Sequence, residues 1–500
     1  MAKRALSFAV LAAFLTVAAP LAAQSVIPKY GTAEIPLAST SSYNAVSGTP
    51  NPFDLVVTAK VTSPTGRIYN VDGFFDGNGA GGSTGNVFKL RVYGDEVGTW
   101  RWTTTSTVPG LGGKSGTFSV SGTLAGFFGK GPIVENPAYP RSFMQQGGEP
   151  VFLSAKFLDS AAPAPIKFSH TLLSEKLTDA NRQAMLTRHT GMKLNKMNVY
   201  LANRGDYSAM SVTPWVGTAT ANDKKRFDLA RWRMFDQWTV KLRDAGMQAN
   251  FWFFADDSGF GDLPDADRQR LIRYGMARLS GYVHTTFTLA LEWQEGWTTT
   301  EVNNHANYIH SWNPWARLVS VHGLTGDFSF PTAAWADYMQ LQGGNDASAA
   351  VVHSRGLTNR AKAAKPLIQE EHGMGWEDKL HRQRAWAAFT GGAAGVGTGA
   401  FLNHLATFAA RVDFERMEPL DSLIRSGSAW CLAEKGRAYV VYIHTGTTVG
   451  LDLTGITGTF VAEWYDPRTG AVRVAPAATG GGVRTFTAPT ADDWVLYLRR

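Results

Sequence analysis

The stretch MQANFWFFADDSGFGDLPDADRQRLIRYGMARLSGYVHTTFTLALEWQEGW, residues 247–297, decides the fold. It opens on an apolar run (247–255) and crosses a turn rich in Gly, Asp and Pro. DRQRLIRYGMARLSGY (267–282) then has helical apolar spacing, and TFTLALEW (286–293) is apolar again. Strand, helix, strand with short links is the repeating unit of a parallel sheet. The same grammar extends both ways, through PVFLSAKF (150–157), KLNKMNVYLAN (193–203), RLVSVHG (317–323), ADYMQLQG (336–343), KPLIQEE (365–371) and GGAAGVGTGAF (391–401). With 247–255 and 286–293 these make eight candidate strands, the number in a (β/α)8 TIM barrel. RFDLARWRMFDQWTVKLRDAG (226–246) sets Phe227, Ala230, Phe235, Trp238 and Leu242 near one face and stops at Gly246, as a core-facing helix does.

Outside this region the pattern changes. DLVVTAKV (54–61), NVFKLRVY (86–93) and GTWRWTTTS (98–106) alternate and are separated by Gly- and Pro-rich turns, which predicts an N-terminal β-sandwich. Trp100 and Trp102 share a strand face and read as core packing rather than a sugar platform. Short strands return after 426, broken by the Asp-Pro-Arg-Thr-Gly turn at 466–470, and predict a C-terminal β-sandwich. The expected organisation is a signal peptide (1–24), N-terminal sandwich (25–125), α/β barrel (126–425) and C-terminal sandwich (426–500).

Composition narrows the function. At 44% hydrophobic and 18% charged, the chain has the balance of a packed globular protein. The net charge of +7 is spread along 500 residues without a basic run, which argues against a nucleic-acid partner. Lys3 and Arg4, the charge-free stretch Ala5–Ala19 and the small residues around Pro20–Gln24 read as a cleaved signal, predicting a periplasmic or extracellular protein without a membrane anchor. The single cysteine, Cys431, cannot form an intramolecular disulfide and reads as a buried small apolar residue.

Barrel chemistry belongs at the C-terminal ends of the strands. LEWQEGW (291–297) puts Glu292 and Glu295 at the exit of the fourth strand, and IQEEHG (368–373) puts Glu370 and Glu371 at the exit of the seventh. One carboxyl from each suits glycoside hydrolysis with retention, where an acid and a nucleophile stand about 5–5.5 Å apart. The alternative for any single Glu is a solvated loop residue or half of an ion pair. Asn195, Asn198, Tyr200 and Asn203 follow or line the second strand, Asn250, Trp252, Asp256 and Asp257 the third, and His322 ends the fifth. Amides, hydroxyls and an indole are what a sugar site uses, although Asp256 and Asp257 serve equally as a helix cap and His322 as a core residue. Trp293 and Trp297 flank Glu295 as a subsite wall or as packing. HExxH, a phosphate loop and a zinc-spaced Cys/His cluster are all missing from the sequence. Asp72, Asp76 and Asn78 lack the closing Glu of a calcium loop, so neither metal nor cofactor is expected.

On GTWRW (98–102), FDLARW (227–232), RYGMARLSGY (273–282), QEGWTTTE (294–301), KPLIQEEHG (365–373), GGAAGV (391–396), WYDPRTG (464–470) and DWVLYL (493–498), the chain resembles clan A glycoside hydrolases. More closely it resembles secreted bacterial apiosidase-like barrels with an N-terminal sandwich of unknown function and a collagen-binding-like C-terminal sandwich. The resemblance implies a retaining hydrolase of a polysaccharide or oligosaccharide, with Glu295 as acid/base and Glu371 as nucleophile. It also implies sugar contacts from Gln294, at the position of the clan's Asn, and from His372. Glu292 and Glu370 are the rivals, since neighbours on a strand face opposite ways and only one of 370 and 371 then aims inward, the other forming an ion pair behind it. A polysaccharide lyase and a non-catalytic carbohydrate-binding or adhesion protein on the same scaffold are the alternatives. Oligomeric state is not legible.

Overall fold

A computed structural model describes residues 25–203, 211–255, 260–344, 347–373 and 375–500; the expected signal segment, Asp256 and Asp257 lie outside them. The chain is mixed α/β with several sheets. Seven strands between Val26 and Thr123 form the first, in the order 26–29, 115–123, 98–106, 57–62, 68–75, 84–94, 31–44. Trp100 is buried there between Tyr69 and Phe118, with ring centroids at 5.9 and 5.7 Å, while Trp102 is half-buried over Gly116.

Eight parallel strands follow: β1 (Leu153–Ser154), β2 (Lys196–Tyr200), β3 (Gln248–Ala255), β4 (Thr285–Leu291), β5 (Val319–Ser320), β6 (Met339–Gln342), β7 (Leu367–Glu371) and β8 (Gly395–Val396). They pair as two four-stranded sheets, β1-β8-β7-β6 and β2-β3-β4-β5. The edges of the two sheets also meet. Asn195 N–H donates to Ser154 O (3.0 Å) and Ser154 N–H to Asn195 Oδ1 (2.8 Å), joining β1 to β2. Asp337 N–H donates to Val319 O (2.9 Å) and a parallel bridge pairs His322 with Gln340, joining β5 to β6. Every residue of β3 is buried, which is why its second half, FWFFA, is continuously apolar instead of alternating.

The segment read as strand 150–157 divides: Pro150–Val151 pairs antiparallel with Phe143–Met144, and only Leu153–Ser154 joins the parallel set. Likewise 391–401 contributes only Gly395–Val396. Seven helices accompany the strands among the described residues: α1 (Asp179–Gly191), α2 (Leu229–Asp244), α3 (Asp265–Leu279), α4 (Thr299–Ser311), α5 (Ala349–Arg360), α6 (Lys379–Thr390) and α7 (Leu402–Ala409). Helix α2 starts at 229 and not 226 because Arg226 and Phe227 belong to a hairpin strand and Asp228 caps, its Oδ1 accepting from Ala230 N–H (3.0 Å) and Arg231 N–H (3.1 Å).

The first sheet is fastened to the helices by a buried ionic cluster. Arg278 of α3 donates to Asp76 (2.8 Å) and Asp236 (2.7 Å), while Arg91 reaches Asp236 and Glu34. Asp72 is likewise taken by Arg273 (2.6 Å) and Asp76 also meets Lys89 (2.8 Å), so both carboxylates are spent on cations of the chain. The last sheet joins strands from Glu418 to Arg499 over a core of its own that includes Cys431, Ile443, Phe460 and Trp494. Asp493, fully buried, ties it to α6 by accepting from Arg382 Nε (2.9 Å) and Tyr442 Oη (2.8 Å). Cys431 is fully buried, which pushes its thiol pKa up.

Candidate active site

The site lies at the C-terminal ends of the parallel strands. β4 ends at Leu291, and Glu292 takes a left-handed conformation (φ 42°, ψ 47°), a strained choice for a residue with a Cβ. The chain then makes a 3-10 turn over Trp293–Glu295, with Trp293 N–H donating to His322 O (3.1 Å) at the exit of β5. Because the strand has ended, strand alternation no longer governs residues 292–295. Glu292 is half-buried, and Gln342 Nε2 at the end of β6 donates to its Oε1. Glu295 is exposed; its backbone N–H closes the turn onto Glu292 O (3.0 Å), and its carboxylate has no partner among the described residues.

Glu371 is half-buried at the end of β7. Alternation is broken here as well. Leu341 pairs with Gln369, but the next residue, Gln342, pairs with Glu371, so Glu370 is the extra residue of a bulge. Glu370 is fully buried and ion-paired with Lys196 of β2, as expected of it when Glu371 is the residue aimed into the site, and it also accepts from Asn198 Nδ2. Glu371 shares a face with Gln342, on the side toward Glu292, so 370 and 371 do not oppose each other.

His322, His372 and Trp252 are completely buried, and among the described residues the ring nitrogens of all three are without hydrogen-bond partners. Trp252 and His322 lie 5.2 Å apart at a 39° tilt, and Tyr200 packs 5.9 Å from Trp252. Burial pushes the His322 pKa down to about 3, helped by the charge of Lys196; burial and Arg384 do the same for His372. Both imidazoles are therefore neutral near pH 7, each with one donor and one acceptor. Buried polar atoms left unpaired at strand exits are what an incoming ligand would satisfy.

Several expected contacts are corrected. Asn198 is spent inside the protein, donating to Glu370 and accepting from Asn250 Nδ2 (2.9 Å), whose Oδ1 in turn accepts from Thr286 and Thr288. Trp297 is a core ring, with the Arg268 guanidinium 4.1 Å above it and Phe254 and His305 alongside, so it forms no subsite wall. Gln294 is exposed, and its Oε1 accepts from Leu324 N–H (2.8 Å). Asn195 joins β1 to β2 at the opposite end of the strands. Two residues went unnoticed in the sequence. Gln342 was signalled by the alternation of Gln340 and Gln342 within an apolar strand, and Trp376, 55% exposed just beyond β7, gives no signal before its exposure is known.

Comparison with known proteins agrees with this architecture. Residues 26–107 match the domain of unknown function DUF5060, and residues 421–499 match a family described as "putative collagen-binding domain of a collagenase". No curated protein matches the chain. Over 95% of its length it is similar in fold to the whole of a "putative glycoside hydrolase" from Bacteroides vulgatus, with a TM-score of 0.76 and 18% identity. It is similar also to a glycoside hydrolase family 5 protein from Bacteroides vulgatus (TM-score 0.63, 15% identity, 75% of this chain and 93% of that one). A third similar structure is a glycoside hydrolase (TM-score 0.61, 17% identity, 75% and 98%).

Proposed function

We propose that this chain is an exported retaining glycoside hydrolase, its eight parallel strands forming a (β/α)8 barrel flanked by two β-sandwiches, and that the catalytic pair is Glu292 and Glu371. One observation carries the pairing: Gln342 is in register with Glu371 and donates to Glu292, so carboxylates from two separate strand ends share one rim. The reading moves the acid/base from Glu295, exposed at the end of the turn, to its rival Glu292.

In this cycle the Glu371 carboxylate attacks the anomeric carbon while protonated Glu292 gives its proton to the departing glycosidic oxygen. Glu292, now ionised, takes a proton from water, whose oxygen attacks the same carbon and frees Glu371. His322 and His372 keep unpaired neutral ring nitrogens beneath this rim for sugar hydroxyls, whereas Trp252, read from the sequence as a sugar contact, is packed among Phe157, Tyr200 and His322 and presents no ring face. The residue before Glu292 is Leu291, so the amide contact of the clan's Asn would have to come from elsewhere.

The test is reducing-sugar release by the mature chain from neutral and anionic plant, algal and microbial polysaccharides, beside Glu371→Ala. Release by the wild type alone, with the first-formed anomer retained by NMR, is expected. Products absorbing in the ultraviolet would make it a lyase, and binding without release a carbohydrate-binding scaffold.

A further inference from the structure

We propose that the buried Lys196–Glu370 ion pair is a positioning device that sets the bulge in β7 and thereby turns Glu371 into the site; the proposal rests on the reading of Glu371 as nucleophile. The chain direction at this point is the key. Gln369 faces outward, its Nε2 donating to Val352 O of α5 (3.0 Å), and Glu370 faces inward to Lys196 and Asn198. Strict alternation would send Glu371 outward again. The bulge instead gives Glu371 the face of Gln342, because matched residues of a parallel ladder point the same way.

What holds the extra residue is chemistry from four directions. Lys196 and Asn198, on the same face of β2, grip both oxygens of Glu370. Gly397, beyond β8, donates its N–H to Gln369 O (2.8 Å), and a Cβ there would collide with the carbonyl and carboxylate oxygens of Glu370. Gly343, beyond β6, donates to Glu371 O, and its own Cβ would sit 2.6 Å from that of His372. Arg384 of α6 donates to His372 O (2.8 Å). Glycines permit the close approach and the ion pair fixes its depth.

Stability alone does not account for the pair. Two charges this deeply buried are commonly matched or bettered by apolar residues of the same volume, whereas a pair fixes one geometry. Its two charges also cancel, so Glu370 adds no uncompensated negative charge beside Glu371.

The experiment compares wild type, Lys196→Met/Glu370→Gln, Asn198→Ala and Glu371→Ala by thermal melting, crystal structure and kinetics on a panel of 4-nitrophenyl glycosides. The double variant removes both charges together and leaves no lone buried ion. It is expected to fold, to show residue 371 displaced from its register opposite Gln342, and to lose at least 100-fold in kcat with KM within threefold. Asn198→Ala removes one grip only and is expected to lose about tenfold in kcat with the fold intact. It carries the test should the double variant not melt cooperatively. A folded double variant with Glu371 in place and kcat within threefold of wild type overturns the proposal, as does an unchanged Asn198→Ala when only that variant folds. Full activity of Glu371→Ala would instead sink the catalytic reading itself, and the crystal structures decide the positioning claim even if no glycoside on the panel is cleaved.

Discussion

Replacing Glu292 and Glu295 separately by Gln separates the two carboxyls that the turn after β4 presents. Glu292→Gln keeps the side-chain shape, and an amide flip still offers Gln342 Nε2 an acceptor, so the change removes only the transferable proton. General acid catalysis is worth about 10²–10⁴-fold, or about 2.7–5.4 kcal/mol at 1.36 kcal/mol per decade. The loss should depend on the leaving group. A glycoside of 2,4-dinitrophenol departs without protonation and should be cleaved in the first step nearly as fast as by wild type, whereas a sugar leaving group should show the whole deficit. Glu295→Gln alters an exposed side chain with no partner among the described residues and should stay within about twofold. The assay is kcat/KM for both substrates in all three proteins. A Glu292→Gln enzyme that cleaves the poor leaving group at the wild-type rate, or a Glu295→Gln enzyme that loses hundredfold, refutes the assignment.

Three further outcomes are expected. Arg278→Met leaves Asp76 and Asp236 with Lys89 and Arg91 as remaining partners, and should cost about 3 kcal/mol, the lower end for a broken buried pair, read as a fall in the urea midpoint; an unchanged midpoint would show that the cluster is not holding the first sheet to the helices. Burial lowers the pKa of His170 and His189 to about 4 and of His284, His322 and His372 to about 3. A histidine near 6.5 when unfolded and depressed when folded gives stability that is whole above pH 6.5 and lost as pH falls toward 3, at about 1.4 kcal/mol per unit each. Tm should therefore drop steeply between pH 6 and 4, and a flat profile there would contradict the burial of these rings. Trp376→Ala should raise KM severalfold on a polymer with Tm unchanged, since the ring is exposed on the segment that follows Glu371; equal KM values would remove it from substrate binding.

Much of the scaffold was legible because its signals are local. The apolar run of β3 and the strand Gly98–Ser106 each follow from a few neighbouring residues, whereas the cap at Asp228 was passed over and α2 was begun too early. β8 was harder, since a Gly-rich segment can be extended or turned and only its neighbours fix two residues as strand. At the site, sequence pointed to the ends of two strands and a pair of glutamates at each, and burial of Glu370 against a cation agrees with the reading of it as half of an ion pair behind Glu371. It could not choose within the pairs. The strand stops at Leu291 through a left-handed Glu292 without a glycine to announce it, and β7 bulges because of Lys196 and Gly397, far away in the chain. Asn198 and Trp297 were misplaced for a related reason. Periodicity tells which face a side chain takes, not how deep along that face the ligand ends and the interior begins.

Cys431 gives the molecule a reporter of its own motion. Its side chain is buried within the last sheet's separate core, and the pKa shift keeps it in the unreactive thiol form. A thiol reagent added to the native chain can therefore modify it only during moments when that core opens. The labelling rate, followed against denaturant, would measure the opening of the C-terminal unit alone, and would tell whether it breathes independently or only when the Arg382–Asp493 tie to the rest of the chain also lets go.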